Sequence, residues 1–180
     1  PAPFAAYVED GQGTAVLSSS PEEFLWRNGD TVRTRPIKGT RPRGVERATD
    51  DRLLAELVHS EKDQAELAMI VDLLRNDLGK VAKIGSVQVG PFPEHASFAQ
   101  VHHLFATVLA ELRPGTSHAE LLRATFPGGS ITGCPKLRCL EILEQLEVAR
   151  RGVYTGAIGW FGPGPALHRR ALEREVGMAS

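Results

Sequence analysis

The chain has 180 residues, is 42% hydrophobic and 24% charged, and carries a net charge of −1. That is enough chain for one domain with a proper core, and the near-zero charge excludes a globally basic nucleic-acid binder or a membrane-surface polypeptide. No apolar run reaches the length of a bilayer span, and the N-terminus lacks a charged-then-apolar signal, so the compartment implied is the cytoplasm. The chain opens at Pro1-Ala2-Pro3 without a methionine and reads as part of something longer. Two cysteines, Cys134 and Cys139, match neither zinc nor redox spacing and read as free thiols.

Phe4 to Glu9 and Thr14 to Ser19 are short and β-prone, and Asp10-Gly11-Gln12-Gly13 between them predicts two antiparallel strands. Phe24 to Arg27 and Thr31 to Arg35 flank Asn28-Gly29-Asp30, a second hairpin signal. Next comes Arg35-Pro36-Ile37-Lys38-Gly39-Thr40-Arg41-Pro42-Arg43-Gly44. Pro36 and Pro42 remove backbone donors and fix φ, which predicts a rigid cationic loop with Lys38 at its middle, not a helix or a central strand. Thr49 is placed to N-cap a helix, with Asp50 and Asp51 in its first turn and Leu53, Leu54, Leu57 and Val58 as its apolar stripe. A longer helix runs from about Glu61 to Leu78. Leu67, Ile70, Val71, Leu74 and Leu78 recur at three and four, and Gly79 stands as its C-terminal cap. Val81 to Val89 reads as β structure, ended by Gly90-Pro91-Phe92-Pro93.

His103 to Leu112 is apolar without helical periodicity and reads as one strand, closed by Pro114-Gly115. Ser117 caps a helix through about Ala124, with Glu120 completing a capping box. Phe126 to Cys134 is a Gly/Ser/Thr loop, Pro135 fits the first turn of a helix, and that helix runs to about Val148. Val153 to Phe161 reads as a strand of small residues. From Pro165 onward the chain turns polar and helix-prone, and the hairpin partner that this strand needs does not follow, so its edge is exposed unless the tail covers it.

Several groups could carry chemistry. A rigid cationic loop suits an anionic small molecule, and the Lys38 amine is a potential nucleophile, although the stretch reads as readily as a solvated basic turn. Asp63 and Glu66 are three apart and share a helix face, where two carboxylates either hold a hard cation such as Mg²⁺ or form a solvated acidic surface. Glu22 follows a strand and could serve as a general acid, or as an ordinary turn glutamate. His102 and His103 point to opposite faces of a strand, so one at most faces a given site. Pro127 to Lys136 is a glycine-rich loop that feeds a helix N-terminus and could receive a carboxylate or a phosphate; it lacks the Gly-Lys-Ser/Thr of a P-loop.

Taken together, these stretches resemble the chorismate-utilising enzymes. The motifs are Ser20-Pro21-Glu22, Pro36 through Gly44, Glu61-Lys62-Asp63, Val71 through Gly79, Val101-His102-His103-Leu104, the Pro127 to Lys136 loop, and Arg151 through Gly159. They stand in order with family-like spacing over about residues 3 to 163. The resemblance implies an α/β (α+β type) fold of antiparallel β-sheets flanked by helices, incomplete at the C-terminus. Residues 1–164 would be a partial chorismate-binding domain and 165–180 an atypical tail, the product of a truncation or frameshift.

The same resemblance implies roles. The Pro-Ile-x-Gly-Thr motif has alanine in anthranilate synthases and lysine in aminodeoxychorismate synthase component I, so Lys38 implies the latter, folate-pathway reaction that leads to 4-aminobenzoate. Lys38 matches the nucleophile, Glu22 the general acid, and Thr40, His103, Ser130 and Tyr154 stand at positions near the substrate. Glu66 matches a Mg²⁺ ligand, with Asp63 a weaker neighbour. Arg35, Arg41 and Arg43 would favour the neutral Lys38 amine if the loop is partly desolvated. A glutamine amidotransferase subunit or domain is implied as the ammonia source. The family's later arginine strand, glycine-rich loop and remaining metal glutamates are not recognisable, so residues 1–180 by themselves are expected to turn over little or no chorismate. An anthranilate synthase-like enzyme and an inactive fragment are the alternatives.

Overall fold

A computed structural model of the chain describes residues 2–162. The local signals produce strands first. β1 (Phe4–Glu9) and β2 (Ala15–Ser20) form a two-stranded antiparallel hairpin, and β3 (Glu23–Asn28) and β4 (Thr31–Arg35) form a second across the Asn28-Gly29-Asp30 turn. Gly29 there has φ +59°, the left-handed backbone that such a tight turn requires.

The Lys38 stretch is a strand and not the expected loop. β5 (Ile37–Pro42) pairs antiparallel with β8 (Val101–Phe105), which pairs on its other side with β7 (Glu94–Ser97). The order β5-β8-β7 puts β5 at an edge, where Pro36 and Pro42 can sit without removing a donor from a central ladder. A third sheet has the order β3-β4-β9-β6, with β6 (Gln88–Val89) and β9 (Val108–Glu111).

The run from His103 to Leu112 is therefore two strands in two sheets. The chain changes sheets at Ala106 and Thr107, and the apolar run hides the change because both strands have buried faces. Val81 to Val89 is mostly turn, since Gly85 at φ +78° reverses the chain and Ser86 bonds back to the Lys83 carbonyl. Only Gln88–Val89 and an Ala82–Leu112 bridge pair there. β7 was not expected, because Glu94-His95-Ala96-Ser97 lacks the apolar alternation that marks a strand.

Two helices lie against these sheets. α1 (Arg47–Val58) begins at Glu46, without a side-chain cap, and not at Thr49. α2 (Glu61–Gly79) is capped by Ser60, whose hydroxyl accepts from the Asp63 amide. Gly79 is the last helical residue and the C-cap is Lys80 in the αR region, so Gly79 is not the left-handed cap that was expected. The apolar stripe of α2 closes the core: Leu67, Val71 and Leu78 pack with Leu57 of α1, Val32 of β4, Leu104 of β8, and Val108 and Ala110 of β9. Each fully buried leucine here stabilises the fold by roughly 1.5–3 kcal/mol relative to leaving it exposed.

α3 (His118–Thr125) starts with the expected capping box, Ser117 and Glu120 bonding reciprocally. A single 3₁₀ turn (Gly129–Ile131) leads to α4 (Lys136–Leu146), shorter than expected, with Pro135 as its N-cap residue and no buried side chain. Val153 to Phe161 forms no strand among the described residues. It begins with a turn and continues irregularly, largely exposed, because no neighbour offers it a ladder. The tail beyond residue 162, including any partner for this segment, lies outside the described residues. No helix among the described residues is long and apolar enough to cross a membrane.

Candidate active site

The site is organised by a break in the β5 ladder. Lys38 pairs with Leu104 and Thr40 with His103, so Gly39 is an extra residue, a β-bulge. Gly39 has φ +77°, and a Cβ there would lie 2.9 Å from Asp63 Cβ and Cγ and from Leu57 Cδ1. Only glycine meets both demands, the left-handed backbone and the direct approach of α1 and α2. The bulge sets Thr40 on the face of His103, and Thr40 Oγ1 lies 2.9 Å from His103 Nδ1. His103 is nearly buried and packs edge-on to Phe98. Burial pushes its pKa below 6.5, partly offset by a hydrogen bond with the Gly39 backbone, so the ring is neutral at pH 7.

Lys38 itself is half-buried, and among the described residues its ammonium has no ion-pair or hydrogen-bond partner. The arginines around it are mostly committed. Arg41 pairs with Asp63 at 3.1 Å, and Arg43 forks onto Asp50 at 2.7–3.1 Å. Arg35 lies over Phe105, 5.4 Å from the ring centroid, and its buried Nε has no partner among the described residues. Of the three arginines expected to act on Lys38, Arg41 and Arg43 are thus held by carboxylates.

Glu22 is brought to the same place from the end of the β2 strand. Its Oε1 accepts from Ser130 Oγ at 3.0 Å and its Oε2 from the Ile37 amide at 3.4 Å. One half-buried carboxylate therefore joins the residue before Lys38 to the glycine-rich loop. The loop is held close because Gly129 presses on Leu73 of α2, where a Cβ would come within 2.6 Å of Leu73 Cδ2. Glu22 thus meets Ser130 and the backbone of the residue before Lys38, and Thr40 meets His103 one bulge further along the same strand.

Three of the expected site residues do not join them. Tyr154 is 71% exposed on the turn after α4 and makes no side-chain bond to the site. Asp63 and Glu66 share their face of α2 as expected, but Asp63 is held by Arg41, and Glu66 is an open surface carboxylate 3.8 Å from Lys62 Nζ. No cluster of three or more potential metal ligands exists among the described residues. The donors present therefore do not by themselves fit a divalent cation, which wants six or more oxygens. Of the pair, Glu66 alone is free of an arginine.

Sequence reasoning missed the brace behind the site. His102, on the face opposite His103, lies between Ser97 Oγ at 2.7 Å and Asp50 Oδ1 at 2.9 Å. The Arg43 fork, followed by the Gly44 amide, holds the Asp50 carboxyl well below the usual range, so it stays ionised. The adjacent histidines were the available signal, since a strand must seat one of the two away from the site.

The sequence matches the family model described as chorismate binding enzyme over residues 1–168. Anthranilate synthase component 1 1 of Haloarcula marismortui is 50% identical over 162 residues, 90% of this chain and 33% of that protein. Aminodeoxychorismate synthase component 1 of Bacillus subtilis is 46% identical over 162 residues, 90% of this chain and 34% of that protein. The chain thus spans about a third of the length of these curated relatives. Among solved structures, anthranilate synthase component I from Streptococcus pneumoniae TIGR4 superposes with a TM-score of 0.77 at 34% identity, over 88% of this chain and 34% of that one.

Proposed function

The chain belongs to the chorismate-binding enzyme family, and from that premise we propose that it carries the catalytic lysine of a synthase that aminates chorismate at C4. The observation that carries this reading is Lys38, a half-buried amine without a partner among the described residues, on an edge strand whose bulge seats Thr40 against His103.

The residues support a two-step exchange. The Lys38 amine, once deprotonated, attacks C2 of the chorismate ring, both double bonds of the conjugated ring diene shift by one position, and the C4 hydroxyl leaves as water with a proton from Glu22. Ammonia then adds at C4, both double bonds shift back, and the lysine is expelled from C2. Ser130 Oγ donates to Glu22 Oε1 and would hold the carboxyl in place for the proton transfer. The neutral His103 and Thr40 would orient the ring. The ammonia would come from a glutamine amidotransferase subunit or domain, and the product, 4-amino-4-deoxychorismate, leads to 4-aminobenzoate and folate. Mg²⁺ would neutralise substrate carboxylates, with Glu66 as one ligand and further oxygens from outside residues 2–162. Residues 1–180 alone are proposed to turn over little chorismate for that reason.

A second reading is amination at C2, as the name of the Haloarcula relative suggests. Incubation with chorismate, ammonium and Mg²⁺, followed by identification of the product, separates the two. A C4-aminated product supports the reading, and anthranilate would contradict it.

A further inference from the structure

Asp77 has no solvent exposure, and nothing in the site described above uses it. It lies on α2 one turn after Leu73, the residue against which Gly129 packs. Its Oδ1 takes Lys80 Nζ at 2.8 Å, and its Oδ2 takes Lys136 Nζ. The Lys136 ammonium is almost buried, and it also donates to the Thr125 carbonyl at 2.8 Å. Thr125 is the last residue of α3 and Lys136 the first of α4. A single ammonium therefore joins both ends of the 126–135 loop to one carboxylate on the core helix. A cation at the first position of a helix is opposed by the macrodipole, and here Asp77 offsets that.

We propose that Asp77 and Lys136 are positioning residues for the carboxylate-binding loop: the pair closes the base of the loop and thereby holds Ser130 at Glu22. Ser130 lies between two pins, Gly129 on Leu73 and Lys136 on Asp77, and its hydroxyl then reaches Glu22 Oε1 at 3.0 Å. The proposal rests on the reading that Glu22 and Ser130 face chorismate. An ammonium has three donors and serves Asp77 and Thr125 together. An apolar pair can match the stability of a buried ion pair, but it cannot tie the Thr125 carbonyl to α2.

That difference separates positioning from bulk stability. In the full chain, the double variant Asp77→Leu/Lys136→Met is expected to keep its thermal midpoint. Its Ile131 and Thr132 amides, which bond back to Gly128 and Gly129, should exchange about tenfold faster. Its dissociation constant for chorismate should rise about tenfold. Asp77→Asn, which preserves shape, should show the same two changes at about threefold and keeps the test alive if the double variant does not fold. Wild-type loop exchange and wild-type affinity in either folded variant would overturn the proposal, as would lost affinity with an undisturbed loop. If the wild-type chain does not bind chorismate, the functional reading fails instead, and the exchange rates alone decide the positioning claim.

Discussion

The strand that carries Lys38 and the helix that follows the glycine-rich loop are held in opposite ways. β5 is gripped from several sides: β8 pairs with it, Asp63 and Leu57 close on Gly39, and Glu22 reaches the Ile37 amide. α4 buries no side chain, with Leu137 77% and Leu146 73% exposed, and the following turn leaves Tyr154 in solvent. Of the residues that the resemblance places at the chemistry, Glu22, Lys38, Thr40 and His103 fall on the gripped side, while Glu66 and Tyr154 are open to solvent. Preorganisation needs side chains whose rotamers are fixed by neighbours; the first region supplies several, and α4 contributes Lys136 at its first residue.

The contrast can be broken or sharpened by substitution. The largest effect should come from Lys38→Ala, which removes the proposed nucleophile. We expect C4 amination by the full-length protein that carries residues 1–180 to fall by about 10³-fold or more, with chorismate affinity within about threefold of wild type, read by steady-state kinetics and calorimetry. Next is Gly39→Ala. The added methyl meets Leu57 and Asp63 at a backbone angle that L-residues avoid, so we expect a loss of about 2–4 kcal/mol in denaturant unfolding. An unfolding midpoint equal to wild type would show that the bulge is not gripped as described.

A smaller effect is pH-dependent. His103 has a folded pKa below its ordinary 6.5. Its contribution to stability is therefore complete above pH 6.5 and is lost as the pH falls from there through the folded value. Asp50, also depressed, contributes above its ordinary 3.8 and loses that contribution only in stronger acid. Denaturant midpoints should thus fall between pH 7.5 and pH 5, and His103→Gln should flatten that fall. The smallest effect belongs to the exposed side. Tyr154→Phe should change turnover by less than about twofold. A loss of about tenfold or more in kcat/KM would mean that this segment folds over the bound substrate, and the contrast between the regions would then hold for the empty site only.

Much of the gripped region was readable beforehand. The periodicity of Leu67, Val71 and Leu78 marks the core helix because burial of one face demands it, and the Ser117-Glu120 box marks the start of α3 because both partners are local. Lys38 and Glu22 stand out by their chemistry and Ser130 by the family resemblance, and the structure adds the Glu22–Ser130 bond across 108 residues of sequence separation. What escaped depends on distant partners. Two prolines around a glycine describe a loop and a bulged edge strand equally well, until β8 is seen to pair with it. The sheet change at Ala106 is silent in an uninterrupted apolar run. Asp63 looked like half a metal site because the sequence cannot show that Arg41 turns toward it. Lys136 stands in the sequence only as the end of the glycine-rich loop, and its role comes with Asp77.

The central claim is that Lys38 forms a bond to the substrate. It is tested most directly by incubating the full-length protein that carries residues 1–180 with chorismate in the absence of ammonium and mapping the Lys38 peptide by mass spectrometry. The account predicts a peptide heavier by chorismate less water, modified at Lys38 and discharged when ammonium is added. An unmodified Lys38 peptide in a preparation that goes on to give the C4-aminated product at the same rate with Lys38→Ala would contradict it.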